Sequence, residues 1–167
     1  LRITMTDTLR YDFVPSHFGE CLLALTERGV CHQEFTDGDR DRALAGLAAR
    51  WPAAKLERRT GLADAQLLFD DAADEPPLDL HGTAFQREVW DALRRIPAGQ
   101  TLTYGQLARQ LGRPNSARAV ASAVASNRVA GLVPCHRVVA AGGGLGGFRW
   151  GTRRKAAWLA RETRLAA

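Results

Sequence analysis

Near the start of the chain, apolar positions alternate or cluster in three short runs, Leu9–Val14, Cys21–Thr26 and Val30–Phe35, with turn chemistry at Glu27-Arg28-Gly29 between the last two. The pattern predicts a meander of three strands. Over Asp39–Trp51 the spacing becomes helical, with Ala43, Leu44, Leu47, Ala48 and Trp51 on one face and Pro52 as the stop. A second helix is predicted over 62–73 and a short strand at Leu78–Leu80. The acidic, proline-bearing stretch Asp70-Asp71-Ala72-Ala73-Asp74-Glu75-Pro76-Pro77 places a domain boundary within or just after it. The expected units are therefore 1–78 and 79–167.

Beyond that boundary the pattern is mainly helical. Thr83 and Gln86 have the spacing of a capping box, and Phe85, Val89, Trp90, Ala92 and Leu93 supply an apolar face before Pro97-Ala98-Gly99 ends the helix. Two short helices follow: Tyr104, Leu107, Ala108 and Leu111 form one stripe, Gly112-Arg113-Pro114 makes a turn, and Ala117, Val120, Ala121 and Val124 repeat the spacing. This is the outline of a helix-turn-helix. The opposite face of the second helix would show Arg118, Ala119, Ser122, Ala125 and Ser126, small residues around one long cation. Such a face suits close approach to a groove; a helix packed on both sides would also carry small residues. A strand is predicted through Leu132-Val133 and Val138-Val139, and a last helix over Thr152–Leu165 with Lys155, Trp158, Glu162 and Leu165 in one stripe.

Charge divides the chain as the pattern does. Residues 1–80 carry 9 basic and 15 acidic side chains (9 − 15 = −6), and residues 81–167 carry 14 and 3 (14 − 3 = +11). Between Asp91 and Glu162 there are twelve Arg or Lys and no acid. An abundance of arginine alone would not empty that segment of carboxylates, so a polyanionic partner, nucleic acid, is expected. The 46% hydrophobic and 25% charged composition is that of a soluble domain, and no run approaches the roughly 18 apolar residues of a membrane span. Cys21, Cys31 and Cys135 make an odd count without a C-x-x-C pair, which argues against a disulfide framework and for a reducing, cytoplasmic setting. The first residue is Leu1, which fits a fragment, a processed chain or a module of a longer protein.

Candidate chemistry centres on Pro134-Cys135-His136-Arg137. A free thiol has a pKa of roughly 8.5, and a neighbouring imidazole in an acid-free, arginine-rich segment is expected to favour the thiolate. Pro134 biases Val133 to extended geometry, so Cys135 would leave a strand-like lead-in. Adjacent residues of an extended chain point to opposite faces, so contact between Cys135 and His136 needs a bend or a bridging water. Cys135 is the candidate nucleophile; a small buried hydrophobe in a strand is the alternative. Glu162 is the candidate third member that orients His136, or else a carboxylate paired to Arg128 or Arg137.

Two other patterns are set aside. Gly142-x-Gly144-x-x-Gly147 matches the dinucleotide fingerprint, with Glu162 the expected ~20 residues beyond its start, but the context lacks the βαβ unit that the fingerprint requires. A loop over the Cys135 site is the better reading. His17, Cys21, Cys31 and His32 match no standard zinc spacing, and the cysteines fall on apolar strands. No metal is expected.

The segment Val133-Pro134-Cys135-His136-Arg137-Val138-Val139 is preceded by Ser116-Ala117-Arg118-Ala119-Val120 and Asn127. It is followed by Gly147-Phe148-Arg149-Trp150-Gly151 and Arg154-Lys155. Together these resemble the O6-alkylguanine-DNA alkyltransferases, most closely the C-terminal domain of the bacterial adaptive-response members. The likeness spans essentially the whole chain. It implies an α+β fold, with a small RNase H-like α/β domain followed by a mainly helical domain bearing a winged helix-turn-helix. It implies a monomer without cofactor, acting on double-stranded DNA that contains alkylated guanine, with no membrane partner. The implied reaction is stoichiometric: the base is flipped out through the minor groove and its alkyl group passes in one SN2 step to the protein's own cysteine, from O6-alkylguanine and, as a lesser substrate, O4-alkylthymine.

By the same resemblance Cys135 is the acceptor, His136 its base acting through a water, and Glu162 the end of the relay. Asn127 would stabilise the active-site turn and Tyr104 would bond N3 of the leaving guanine. Arg118 would fill the gap in the base stack, and Ser116, Ala117, Ala119 and Ser122 would line the DNA with it. The carbonyls of Cys135 and Val138 would read the exocyclic amine, and the loop up to Phe148 would wall the pocket. Phe148 stands where many members have tyrosine, which removes any hydroxyl contact there. Adaptive-response members also carry an N-terminal four-cysteine zinc domain that this sequence does not supply, so methylation-triggered transcriptional activation is not expected of this chain as given. The competing classes are a DNA-binding regulator with Cys135 as an alkylation or redox sensor, and a cysteine hydrolase built on Cys135, His136 and Glu162.

Overall fold

The computed structural model describes residues 7–62 and 76–167. It is a mixed α/β protein that divides into two compact units, one up to His81 and one from Gly82. The helix expected over 62–73 and most of the acidic linker lie outside the described residues.

In the first unit, β1 (Thr8–Val14), β2 (Cys21–Thr26) and β3 (Gly29–Phe35) form an antiparallel meander. Helix α1 (Arg40–Arg50) then crosses back, and β4 (Lys55–Arg58) pairs parallel with β1, giving the order β3-β2-β1-β4. Asp39 caps α1 by accepting from the Arg42 amide at 3.0 Å. Alternation sends Leu9, Leu22, Ala24 and Cys31 to one sheet face, where Leu47 and Trp51 of α1 cover them. Nothing in the sequence pattern announced β4: its one half-buried apolar side chain, Leu56, gives too short an alternation, and the strand forms by docking on β1. The strand expected at Leu78–Leu80 is a single parallel bridge of Leu78 to Val30. That bridge passes close over Gly29, at φ 149°, where a Cβ would collide with the Pro77 carbonyl.

Helix α2 (Ala84–Arg94) opens the second unit with both bonds of the Thr83/Gln86 capping box in place. Its buried face is Val89, Trp90, Ala92 and Leu93. Strand β5 (Leu102–Thr103) runs directly into α3 (Tyr104–Gln110), which carries a second capping box through Thr103 and Gln106. After a turn comes α4 (Ala117–Ala125), with Val120, Ala123 and Val124 buried. Arg118, Ala119, Ser122 and Ala125 are exposed, so the small-residue face is not packed on both sides. Strand β6 (Val138–Val139) pairs parallel with β5, and α5 (Thr152–Ala166) closes the unit.

Two expectations fail here. The strand drawn through Leu132-Val133 and Val138-Val139 is broken, because Pro134 (φ −81°, ψ 63°) centres an inverse γ-turn, closed by the Cys135 amide on the Val133 carbonyl at 2.8 Å. Cys135–Arg137 then form a 3-10 turn, so only Val138–Val139 is strand. Leu165, expected on the buried stripe of α5, is 62% exposed, because the helix core contact ends at Glu162. Among the described residues, no helix is long and apolar enough to cross a membrane.

Candidate active site

The γ-turn and 3-10 turn are held by Asn127, which follows α4. Its Nδ2 donates to the carbonyls of Val133 (2.9 Å) and Val129 (3.3 Å) and to Cys135 Sγ (3.2 Å), while its Oδ1 accepts from the Val129 amide. One buried side chain thus clamps the chain before the cysteine and touches the thiol itself. Cys135 is 6% exposed on the wall of a cavity of about 280 Å³, shared with Tyr104, Val124, Asn127, Phe148 and Trp150. That volume fits one flat heterocycle and is small for a dinucleotide. The Gly142-x-Gly144-x-x-Gly147 stretch begins in a 3-10 turn after β6 and opens no α-helix, since α5 starts only at Thr152. Its Gly146, at φ 74°, passes so near Tyr104 that a Cβ would lie 3.4 Å from the phenol oxygen.

Behind the cysteine, His136 is fully buried and stacks on Trp158, with ring centroids 4.3 Å apart and planes 16° from parallel. Its Nε2 lies 2.7 Å from Glu162 Oε1. The His136 and Arg137 hydrogen bonds outweigh burial and hold the Glu162 carboxyl down at about 2, so the carboxylate only accepts and Nε2 carries the proton. Nδ1 then bears a lone pair, and it is buried without a hydrogen-bond partner among the described residues. Burial lowers the His136 pKa despite Glu162, so the ring is a neutral base. Arg137 reaches the same carboxylate, with Nη2 2.8 Å from Oε1 and Nε 3.0 Å from Oε2, while its Nη1 donates to the Ile96 carbonyl. Both readings of Glu162, on histidine and on arginine, thus describe one network.

The sequence-based expectation of a thiolate is corrected. Burial pushes the Cys135 thiol up to about 11, outweighing the Asn127 hydrogen bond and the fields of Lys155 and Arg149. At neutral pH the group rests as a thiol. In the sequence Lys155 falls on the stripe of α5 and in the segment that carries the family resemblance, without being given a role. It is fully buried, and its Nζ donates to the carbonyls of Val138 (2.7 Å), Leu145 (2.6 Å) and Gly147 (3.1 Å), tying the glycine-rich loop to β6. A lysine on an apolar helix face one turn before a buried tryptophan was the signal that could have found it. Arg149, also on the cavity wall, donates through Nε and Nη2 to the Ala125 carbonyl at 3.2 and 3.1 Å.

The remaining candidates divide between the cavity, where Tyr104 lines the wall, and the outer face of α4. The Val138 carbonyl accepts from Lys155 Nζ and the Cys135 carbonyl from the Val138 amide. Arg118, Ala119 and Ser122 stand exposed on α4, with Ser116 and Ala117 half-buried at its start. Tyr104 is half-buried, and desolvation raises its phenol pKa, so it is a neutral donor. In the first unit Cys31 packs in the core with its pKa raised to about 12 by burial, and the described residues include no cluster of three His, Cys, Asp or Glu side chains able to hold a metal.

Comparison with known proteins bears on this arrangement. Residues 84–164 match the family model for the 6-O-methylguanine DNA methyltransferase, DNA binding domain. The chain is 44% identical over 163 residues to the regulatory protein ada of Salmonella typhimurium, covering 93% of this chain and 46% of that protein. It is 58% identical over 81 residues to a methylated-DNA–protein-cysteine methyltransferase of the same organism, covering 48% of this chain and 47% of that one. The chain thus spans about half the length of the curated relatives it matches. The crystal structure of Mycobacterium tuberculosis OGT in complex with DNA superposes with a TM-score of 0.74 at 34% identity, covering 93% of each chain. A fold shared over nearly the full length, with a buried Pro-Cys-His-Arg turn in the matched segment, places this chain in the O6-methylguanine-DNA methyltransferase family.

Proposed function

We propose that this chain repairs alkylated DNA directly, transferring the alkyl group of O6-alkylguanine in duplex DNA to Cys135 in a single turnover. The observation that carries the reading is the Cys135 thiol on the wall of a one-base cavity, backed by a neutral His136 whose Nδ1 lone pair is unpartnered. The 3-10 turn provides the bend that the adjacent pair needs, and a bridging water between Sγ and Nδ1 would move the proton. As Sγ bonds to the alkyl carbon, the bond from that carbon to guanine O6 breaks and its electron pair leaves with the base. Tyr104 donates toward N3, and the proton held by His136 returns to the departing guanine. The product is a thioether, which offers no leaving group to water, so the protein is spent after one transfer.

DNA would reach the site along α4. Its exposed face of Ala119, Ser122 and Ala125 allows close approach to a minor groove, and Arg118 would enter the stack as the base leaves. The 3-2-1-4 strand order, with β4 parallel to β1, supports an RNase H-like reading of the first unit. Helices α3 and α4 followed by β6 support a winged helix-turn-helix. Cys21, Cys31 and Cys135 are buried and outside any disulfide, which favours a cytoplasmic setting.

The deciding measurement is intact mass before and after incubation with duplex O6-methylguanine DNA. One methyl on Cys135, stopping at one equivalent, is the expected result. Binding without uptake would favour the regulator, and multiple turnovers the hydrolase. Arg118→Ala is expected to slow transfer from duplex DNA by about tenfold or more, since extrusion costs a few kcal/mol that the inserted side chain offsets. Transfer from free O6-methylguanine should fall less, and an equal loss from both substrates would remove the flipping role.

A further inference from the structure

The end of α4 is closed in an unusual way. A helix leaves its last four carbonyls without helical partners, and a cation in the final turn often serves them, but α4 has none there. Its carbonyls are closed partly by the residues that follow it and partly by side chains of distant segments. Ser122 accepts from the Ser126 amide, Ala123 from Trp90 Nε1 and Ser126 Oγ, and Val124 from the Asn127 amide. The last, Ala125, is reached from the far side of the cavity, by the Nε and Nη2 of Arg149.

A guanidinium presents two donor edges, one formed by Nε with Nη2 and the other by Nη1 with Nη2. In Arg149 the first edge is spent on Ala125. Among the described residues the second carries no hydrogen bond, and Arg149 is exposed beside the cavity that holds Cys135. No carboxylate competes for it: of the three acids in this unit, Glu162 is buried on His136 and Arg137, Glu88 pairs with Arg113, and Asp91 lines a separate groove on α2 with Arg87 and Arg95. An oriented guanidinium edge at the mouth of a one-base cavity matches two oxygens of a phosphodiester. A base lodged in the cavity would bring its own flanking phosphate to that mouth.

We infer that Arg149 is a second DNA-gripping arm, a positioning residue that holds the backbone phosphate of the extruded nucleotide from the loop side while its latch to Ala125 keeps Phe148 and Trp150 in place. The inference rests on the DNA-repair reading above. Arg118 and Arg149 then bracket the flipped nucleotide, one from the start of α4 and one from its end.

The test compares wild type, Arg149→Ala and Arg149→Lys for binding to unmodified duplex across a salt series, and for methyl transfer from duplex and from free O6-methylguanine. Arg149→Ala is expected to weaken duplex binding by about tenfold at low salt and to reduce the slope of log K against log salt by about one, the loss of one phosphate contact. Its transfer rate should fall more on duplex than on the free base. Arg149→Lys should restore the slope, since a point charge suffices for a phosphate, while restoring the rate incompletely, since an ammonium lacks the second edge. An unchanged salt slope in Arg149→Ala, or equal rate losses on duplex and free base, would leave Arg149 as a structural cap of α4 and overturn the inference. A wild-type protein that takes methyl from neither substrate would sink the repair reading, and the salt slopes would still decide the phosphate contact.

Discussion

Cys135→Ala is expected to take up no methyl group from O6-methylguanine DNA while binding that DNA within about threefold of wild type, because the proposed nucleophile and the proposed DNA face are built from different residues. The thiol is 6% exposed on the cavity wall, whereas Arg118, Ala119 and Ser122 are on the outer face of α4. Loss of Sγ costs Asn127 one of its contacts but leaves its bonds to Val129 and Val133, so the turn should stay formed at a cost of about 1 kcal/mol. Removing the only group that becomes bonded to the alkyl carbon leaves no partial route, which makes the expected loss of transfer complete. Cys135→Ser should behave alike, since an alcohol is far less acidic than a thiol in the same buried position. Binding by gel shift and intact mass on the same preparation check both halves, and loss of binding in the alanine variant would mean the thiol is structural.

The parts of the molecule legible in the sequence are those where local pattern and tertiary environment agree. Strands β1 to β3, α1 and the Thr83 capping box all follow from alternation, helical spacing and cap chemistry. Lys155, Trp158 and Glu162 fall on one stripe of α5 and are buried there. Less legible were features created by a partner distant in sequence. Strand β4 exists because β1 offers an edge, and Lys55–Arg58 alone has little β pattern. The turn at Pro134 was hidden by apolar neighbours that read as a strand, while the Asn127 clamp that holds it comes from the end of α4. The cavity is a product of tertiary approach, with Tyr104, Val124 and Phe148 arriving from three elements.

The thiol illustrates the same point energetically. Sequence neighbours supplied an imidazole and positive charge, which favour the thiolate; burial, which no neighbour list reveals, opposes it and prevails. A thiol kept protonated at rest is guarded against adventitious alkylation and oxidation, and that matters in a protein proposed to act once. The chemistry then depends on the base behind it.

Glu162→Gln tests that base directly and carries the second large effect. The carboxylate accepts from His136 and Arg137 while almost fully buried, and removing one partner of such a buried ionic cluster costs about 3–5 kcal/mol. Its folded pKa, about 2 against an ordinary 4.5, is depressed, so its contribution is fully present above about pH 4.5 and is lost as pH falls toward 2. Urea unfolding should therefore show a gap between wild type and variant at pH 7 that narrows steadily below pH 4.5. His136, buried neutral with its pKa lowered, adds a loss of stability below its ordinary value of about 6.5, and that limb should appear in both proteins. For transfer, a neutral amide no longer stabilises the protonated imidazole, and the rate should fall by about 10²–10³-fold at pH 7, within the usual range for a general base. The two effects separate the roles of Glu162. A destabilised variant that still transfers at the wild-type rate would make the carboxylate a structural partner of Arg137 alone, whereas slowed transfer in a variant still folded at the assay temperature places it in the proton path.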